Sequence, residues 1–279
     1  LGIDPLGTLA RTGERFLLKP DATGFTQDVP WLAAPATTLL ADARPYHEAG
    51  ASEAQEIAAL AATVVAYLRC CEGQGLSPAD ALARIGLALT VDADLFSCLA
   101  KLRAARRVVA RIAQACGAGD AAGAQHLHVS TSERMMARRD PWVNLLRMTT
   151  ACAAGAIGGA DEITVLPHTW ALGQPDAFAR RIARNIGLVL REESGLGRIA
   201  DPAGGAWYVE QLSSSSAMLR ICAARAASRE VKLILPQAST SGRASNLVMS
   251  ICSTGLERSS ALRLSGDFWA GVLAIGECS

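Results

Sequence analysis

Apolar positions along the chain follow the helical period in three places. Ser52 and Gln55 form a capping box, after which Ile57, Leu60, Ala61, Val64, Val65 and Leu68 recur at helical spacing until Gly73. Ser77 and Pro78 open a further short helix, predicted to run to about residue 89. Residues 93–116 carry Phe96, Leu99, Ala100, Leu102, Val109 and Ile112 at the same period, with Arg103 and Arg106 on a basic flank and Gly117 as the stop. Short β-branched or apolar runs at 39–40 and 127–129 predict strands, and the small residues 119–123 predict a linker. Residues 1–45 are broken by prolines and glycines and predict mostly loop.

The stretch 138–212 repeats this rhythm. Asp140 and Pro141 predict a helix start, Val143, Leu146, Thr150, Ala153 and Ala154 its apolar face, and Gly158-Gly159 its end. Residues 163–166 predict a strand closed by Pro167. Asp176 caps a second long helix whose Phe178, Ile182, Ile186, Val189 and Leu190 share one face, while Arg180, Arg181, Arg184 and Arg191 take the other, and Gly195 stops it. A turn at 201–205 then leads to extended chain at 206–210. Helices alternating with short strands predict an α/β fold with a parallel sheet.

Composition narrows the function. Half of the 279 residues are hydrophobic and the net charge is +1, so no broad basic surface offers itself to nucleic acid, and the arginine rows read as solvated faces or subunit contacts. No apolar run near the roughly 20 residues of a membrane span is expected, nor a signal peptide, so no membrane partner is expected either. The eight cysteines show no ligand spacing and read as small buried thiols in a reducing, cytoplasmic setting. The chain opens on Leu1, and is read as starting inside something longer.

Six stretches carry a resemblance. RRDPWVNLLR, ARRIARN and EESGLGRIADPAGGAWYVEQL resemble the barrel domain of the methylmalonyl-CoA mutase family, the adenosylcobalamin-dependent carbon-skeleton mutases. GGADEITVLPHTWALGQPDAFARRIARN, LLADARPYHEAGASEAQEIAALAATVVAYLR and DADLFSCLAKLRAARRVVARIAQACG are more similar to the small, non-catalytic subunit of the heterodimeric enzyme. The resemblance implies part of a TIM-type (β/α) barrel over 1–212, without the family's cobalamin-binding flavodoxin-like domain. Such a piece is expected to expose apolar helix faces and sheet edges and to be poorly soluble.

In the catalytic relative, as the resemblance implies, an arginine on one strand holds the substrate carboxylate, a glutamine two residues later assists, and a histidine on the next strand hydrogen-bonds the thioester carbonyl. Ungapped placement of HLHVSTSERMMARRDP and GGADEITVLPHTW puts His128, Ser130 and Thr164 at those positions. A neutral imidazole does not grip a carboxylate as a planar guanidinium does, and a threonine hydroxyl is no general acid near neutrality. The implied role is therefore that of a small subunit pairing with a catalytic subunit that interconverts methylmalonyl-CoA and succinyl-CoA. Adenosylcobalamin belongs to the holoenzyme and acyl-CoA to the partner. The alternatives are a divergent catalytic acyl-CoA mutase and an inactive pseudogene product.

Other signals are weaker. His126-x-His128 reads as a packed or solvated pair before a metal site, because only His47 and His168 remain to complete one. His47-x-x-Gly50 lacks the aspartate of the family's cobalt-ligating motif, whose place Pro45 takes, so no cobalt ligation is expected. Gly155-x-x-Gly158-Gly159 closes a helix where a dinucleotide fingerprint opens one. Trp142 and Trp207 read as core or interface residues. Serine marks a boundary at 213: six precede it and fourteen follow, and 213–279 matches nothing in the family and shows no stable period beyond one possible helix at 218–233. That tail is read as a frameshift or artefact, with a divergent segment as the alternative.

Overall fold

Four short strands lie side by side in chain order, all parallel: β1 (Leu39–Asp42), β2 (Ile85–Val91), β3 (Leu127–Thr131) and β4 (Glu162–Thr164). The computed structural model describes residues 3–12, 39–73, 75–119 and 125–214, and the backbone of an antiparallel pair, β5 (Glu230–Pro236) and β6 (Asn246–Cys252). Helices join the parallel strands, as parallel pairing demands. They are α1 (Pro5–Thr12), α2 (Arg44–Glu48), α3 (Glu53–Glu72), α4 (Pro78–Ala83), α5 (Leu95–Ala115), α6 (Val143–Ile157), α7 (Ala177–Glu192) and α8 (Trp207–Ser214). In the layer, α3 packs on α5, α5 on α6 and α6 on α7, following the strand order.

Alternation along the strands separates two faces. Leu39, Ala41, Ile85, Leu87, Leu89, Val91, Leu127 and Val129 join the helices in one core. The close approach of α6 needs glycine: a Cβ on Gly155 would stand 3.1 Å from Val129 Cγ2 and 3.2 Å from Ile163 Cδ1, and one on Gly158 2.6 Å from Leu102 Cδ1. Those two glycines thus serve packing.

Several elements differ from expectation. The helix predicted from Ser77 ends at Ala83, and residues 85–91 form the central strand, buried at every position. A strand covered on both faces reads IGLALTV, an unbroken apolar run in which period carries no information. α6 is rotated from the predicted phase. Its buried positions are Asn144, Met148, Ala151, Cys152, Ala154 and Gly155, while Val143 and Leu146 face solvent. Asn144 causes this: its Oδ1 accepts from Ala137 N, and its Nδ2 donates to Ala137 O and His168 O, each at 2.9 Å. Residues 207–214 are helical where extended chain was expected, with Arg103 of α5 gripping Glu210 at 2.6 Å and Asp201 at 3.0 Å. The strand predicted at 163–166 spans 162–164. The helix predicted at 218–233 meets β5 at its end, where 230–233 is extended, and its earlier residues lie outside the described ones. Trp142 and Trp207 are not core residues, being 58% and 85% exposed.

Contrary to the sequence expectation, α3 has the length and mean hydropathy, 1.3, of a membrane span. Most of that span is buried inside the fold, and Glu56 lies within it, fully buried.

Candidate functional site

The second face of the sheet is small and polar. Parallel register puts Asp42, Ala88, His128 and Glu162 in one row, and Thr90, Ser130 and Thr164 in the next, nearer the carboxyl ends of the strands. His128, Ser130 and Thr164 are therefore brought together, on neighbouring strands and one face. His128 Nε2 meets Thr164 Oγ1 at 2.9 Å. Burial lowers the pKa of His128 from its ordinary 6.5, and Arg44 acts in the same direction, so the ring is neutral at pH 7 and its Nε2 is engaged.

A guanidinium also lies at this edge of the sheet. Arg44 follows β1, and its Nε and Nη2 each reach an Asp42 oxygen at 2.7 Å. Its backbone N donates to the same carboxylate at 3.0 Å, and Arg11 of α1 approaches at 3.2 Å. Asp42 is buried, and its hydrogen bonds to Arg44 raise that residue's pKa. The planar edge with which Arg44 would take a substrate carboxylate is thus filled by an internal one.

Behind the rim lies a buried polar group that sequence reasoning did not find. Glu56 Oε2 accepts from Lys101 Nζ at 2.7 Å and from His47 Nδ1 at 3.2 Å, and its Oε1 accepts from Thr90 N at 2.8 Å. His47 Nε2 meets Ser132 Oγ at 2.9 Å. Because a carboxylate only accepts, His47 carries a proton on Nδ1. Glu56, Lys101 and His47 have no exposed side-chain surface. The signal was present, since both charged residues fall among apolar positions of their helices, but only tertiary structure joins them.

Elsewhere, His126 precedes β3 and is exposed, and His168 is buried with its ring 5.0 Å from that of Trp142 and its Nδ1 unbonded. No cluster of three or more His, Cys, Asp or Glu suited to a metal occurs among the described residues. Cys71, Cys98 and Cys152 are buried and unpaired, and burial pushes their thiols up to about 11, 12 and 11. Cys222, Cys252 and Cys278 lie outside the described side chains. Between β4 and α7 opens a cleft of about 1030 Å³ lined by Ile163, Leu166, Trp170, Arg180, Ala183 and Arg184.

The family profile for methylmalonyl-CoA mutase matches residues 32–221, which include the four parallel strands and helices α2 to α8. The chain belongs to the methylmalonyl-CoA mutase family. It is 51% identical over 227 residues to the methylmalonyl-CoA mutase small subunit of Streptomyces virginiae, covering 78% of this chain and 35% of that one. The small subunit of Propionibacterium freudenreichii subsp. shermanii is 40% identical over 221 residues, covering 78% and 34%. The methylmalonyl-CoA mutase of Escherichia coli (strain K12) is 34% identical over 171 residues, covering 60% and 24%. The chain thus spans about a third of the length of the small subunits it matches.

Proposed function

We propose that residues 1–212 supply part of a (β/α) barrel in the small subunit of a methylmalonyl-CoA mutase, and that 213–279 stand apart from it. Strands paired in chain order, with helices layered in the same order, are what a barrel segment has and a doubly wound sheet lacks. Among the described residues β4 pairs with β3 alone, and its other edge and the cleft beside it leave room for further strands. The family match ends at 221, close to where serine content rises.

This part of the small subunit supports a catalytic subunit and does no chemistry itself. One observation carries that reading: on the polar sheet face the neutral His128 is bonded to Thr164, and the Arg44 guanidinium is closed by Asp42. Nothing among these groups grips a substrate carboxylate at two points or lends a proton near neutrality. The interconversion of methylmalonyl-CoA and succinyl-CoA, with its acyl-CoA and adenosylcobalamin, belongs to the partner. The residues here do not fit cobalamin. His47, the imidazole nearest to a cobalt-ligating motif, is fully buried with both nitrogens taken.

A divergent catalytic mutase has one point in its favour, the presence of a guanidinium and an imidazole at the same sheet edge, and the Asp42 lock opposes it. Co-expression with a catalytic mutase subunit tests the proposal. A stable complex on affinity capture is expected; a soluble, folded chain that passes the immobilised catalytic subunit without retention contradicts it, and failure to obtain a folded chain favours the inactive gene product.

A further inference from the structure

Three loops leave the carboxyl end of the parallel sheet: residues 43–52 after β1, 132–142 after β3 and 165–176 after β4. Side-chain hydrogen bonds join them. Glu48, at the end of α2, accepts from Glu133 N through Oε1 and from Arg134 N through Oε2, each at 2.9 Å. Arg134 answers in the other direction, its Nη1 donating to His47 O at 2.9 Å and to Ala51 O at 3.1 Å. A carboxylate of the first loop thus closes two main-chain amides of the second, and a guanidinium of the second closes two carbonyls of the first. Charge makes such bonds stronger than neutral ones.

The second loop is tied to the third as well. Thr131 Oγ1, at the end of β3, accepts from Leu166 N at 2.9 Å, and the Asn144 amide joins Ala137 to His168 O. Underneath, Ser132 Oγ meets His47 Nε2 at 2.9 Å, and His47 stands on the Glu56–Lys101 ion pair. His47, Thr131, Ser132, Asn144 and His168 are buried by the described residues themselves, so these ties do not depend on what packs outside them. Water does not replace a bond lost there, and opening one tie strands its partner.

We infer that the loops after β1, β3 and β4 form one clamped rim, with Glu48 as the staple between the first two, Thr131 and Asn144 as the ties to the third, and Ser132 resting through His47 on the buried ion pair. Loops at this end of a (β/α) barrel bear the site, and in many enzymes they open and close over it. Here they open together or stay shut. The clamp does not depend on the small-subunit reading, which stands or falls separately.

Amide hydrogen exchange of the full chain, read residue by residue by NMR, tests this. Glu48→Ala removes the staple at a half-buried position and speeds exchange at Glu133 and Arg134 about tenfold or more, and Glu48→Gln, which keeps one acceptor, falls between it and wild type. The deciding readout is remote. In Glu48→Ala the amide of Leu166, which Glu48 does not touch, also exchanges about twofold faster or more, while that of Ala104, in the middle of α5, keeps its wild-type rate. Ser132→Ala, which removes a single oxygen, speeds the same three loop amides. Leu166 unchanged in both variants means three independent loops and overturns the proposal. So does a rise at Ala104 equal to that at Leu166, which is loosening of the whole fold. If Glu48→Ala does not fold by circular dichroism, Glu48→Gln and Ser132→Ala carry the same comparison.

Discussion

Replacing Lys101 by methionine keeps most of the side-chain volume and removes one charge from the interior. Burial alone pushes the Glu56 carboxyl up, but the Lys101 ammonium, with His47 assisting, more than offsets it and holds Glu56 below its usual 4.5. Lys101 pays its own burial cost and is raised above 10.5 by Glu56. Lys101→Met leaves the carboxylate with only His47 Nδ1 and the Thr90 amide as donors. Removing one member of such a pair costs about 3–5 kcal/mol. At about 2–4 °C per kcal/mol for a unit of this size, the melting temperature falls by about 6–20 °C. The double variant Glu56→Gln/Lys101→Met removes both charges of the pair and recovers more than half of the loss. The signs of the pH dependence follow. A depressed Glu56 contributes stability that is complete above 4.5 and lost as pH falls through its folded value; a raised Lys101 contributes stability present below 10.5 and lost as pH rises through its folded value. Between these limits the wild-type pair adds no slope. Thermal melts of the three proteins at pH 7 check this, and a double variant no more stable than Lys101→Met refutes the reasoning.

Other perturbations read out different links. Asn144→Ala strands Ala137 N and O and His168 O, and should cost about 3 kcal/mol by denaturant titration. Gly158→Val drives a side chain into buried Leu102, and costs about 1–3 kcal/mol. His128, lowered by burial, titrates below 6.5 by NMR, so its contribution is full above 6.5 and lost as pH falls below it; a value above 6.5 contradicts the engaged, neutral ring.

How much of this was legible depended on the residues. α3 and α5 stand where the helical period put them, with Asp94 capping Ser97 N and Gln55 reaching back to Ser52 N at 3.0 Å. β2 was invisible because burial on both faces erases alternation, and the phase of α6 was misread because a polar residue, Asn144, holds a core position through three hydrogen bonds. At α7 the predicted apolar face exists, yet Phe178 and Val189 are exposed because none of the described residues covers that edge of the layer, while Ala179 and Ala183 are buried. On the polar sheet face, His128, Ser130 and Thr164 were named through the family resemblance alone. The Glu56–Lys101–His47 group was not, since Glu56 and Lys101, 45 residues apart, meet only through packing, and neither was the Asp42–Arg44 clamp, although its members are two residues apart.

The most direct measurement is turnover of methylmalonyl-CoA with adenosylcobalamin supplied, comparing the chain alone, a catalytic subunit alone and the two mixed. No succinyl-CoA from the chain alone, and undiminished turnover by the complex when Arg44 and His128 are replaced, is the predicted result. Succinyl-CoA formed by the chain alone, and lost in Arg44→Ala or His128→Ala, would contradict it.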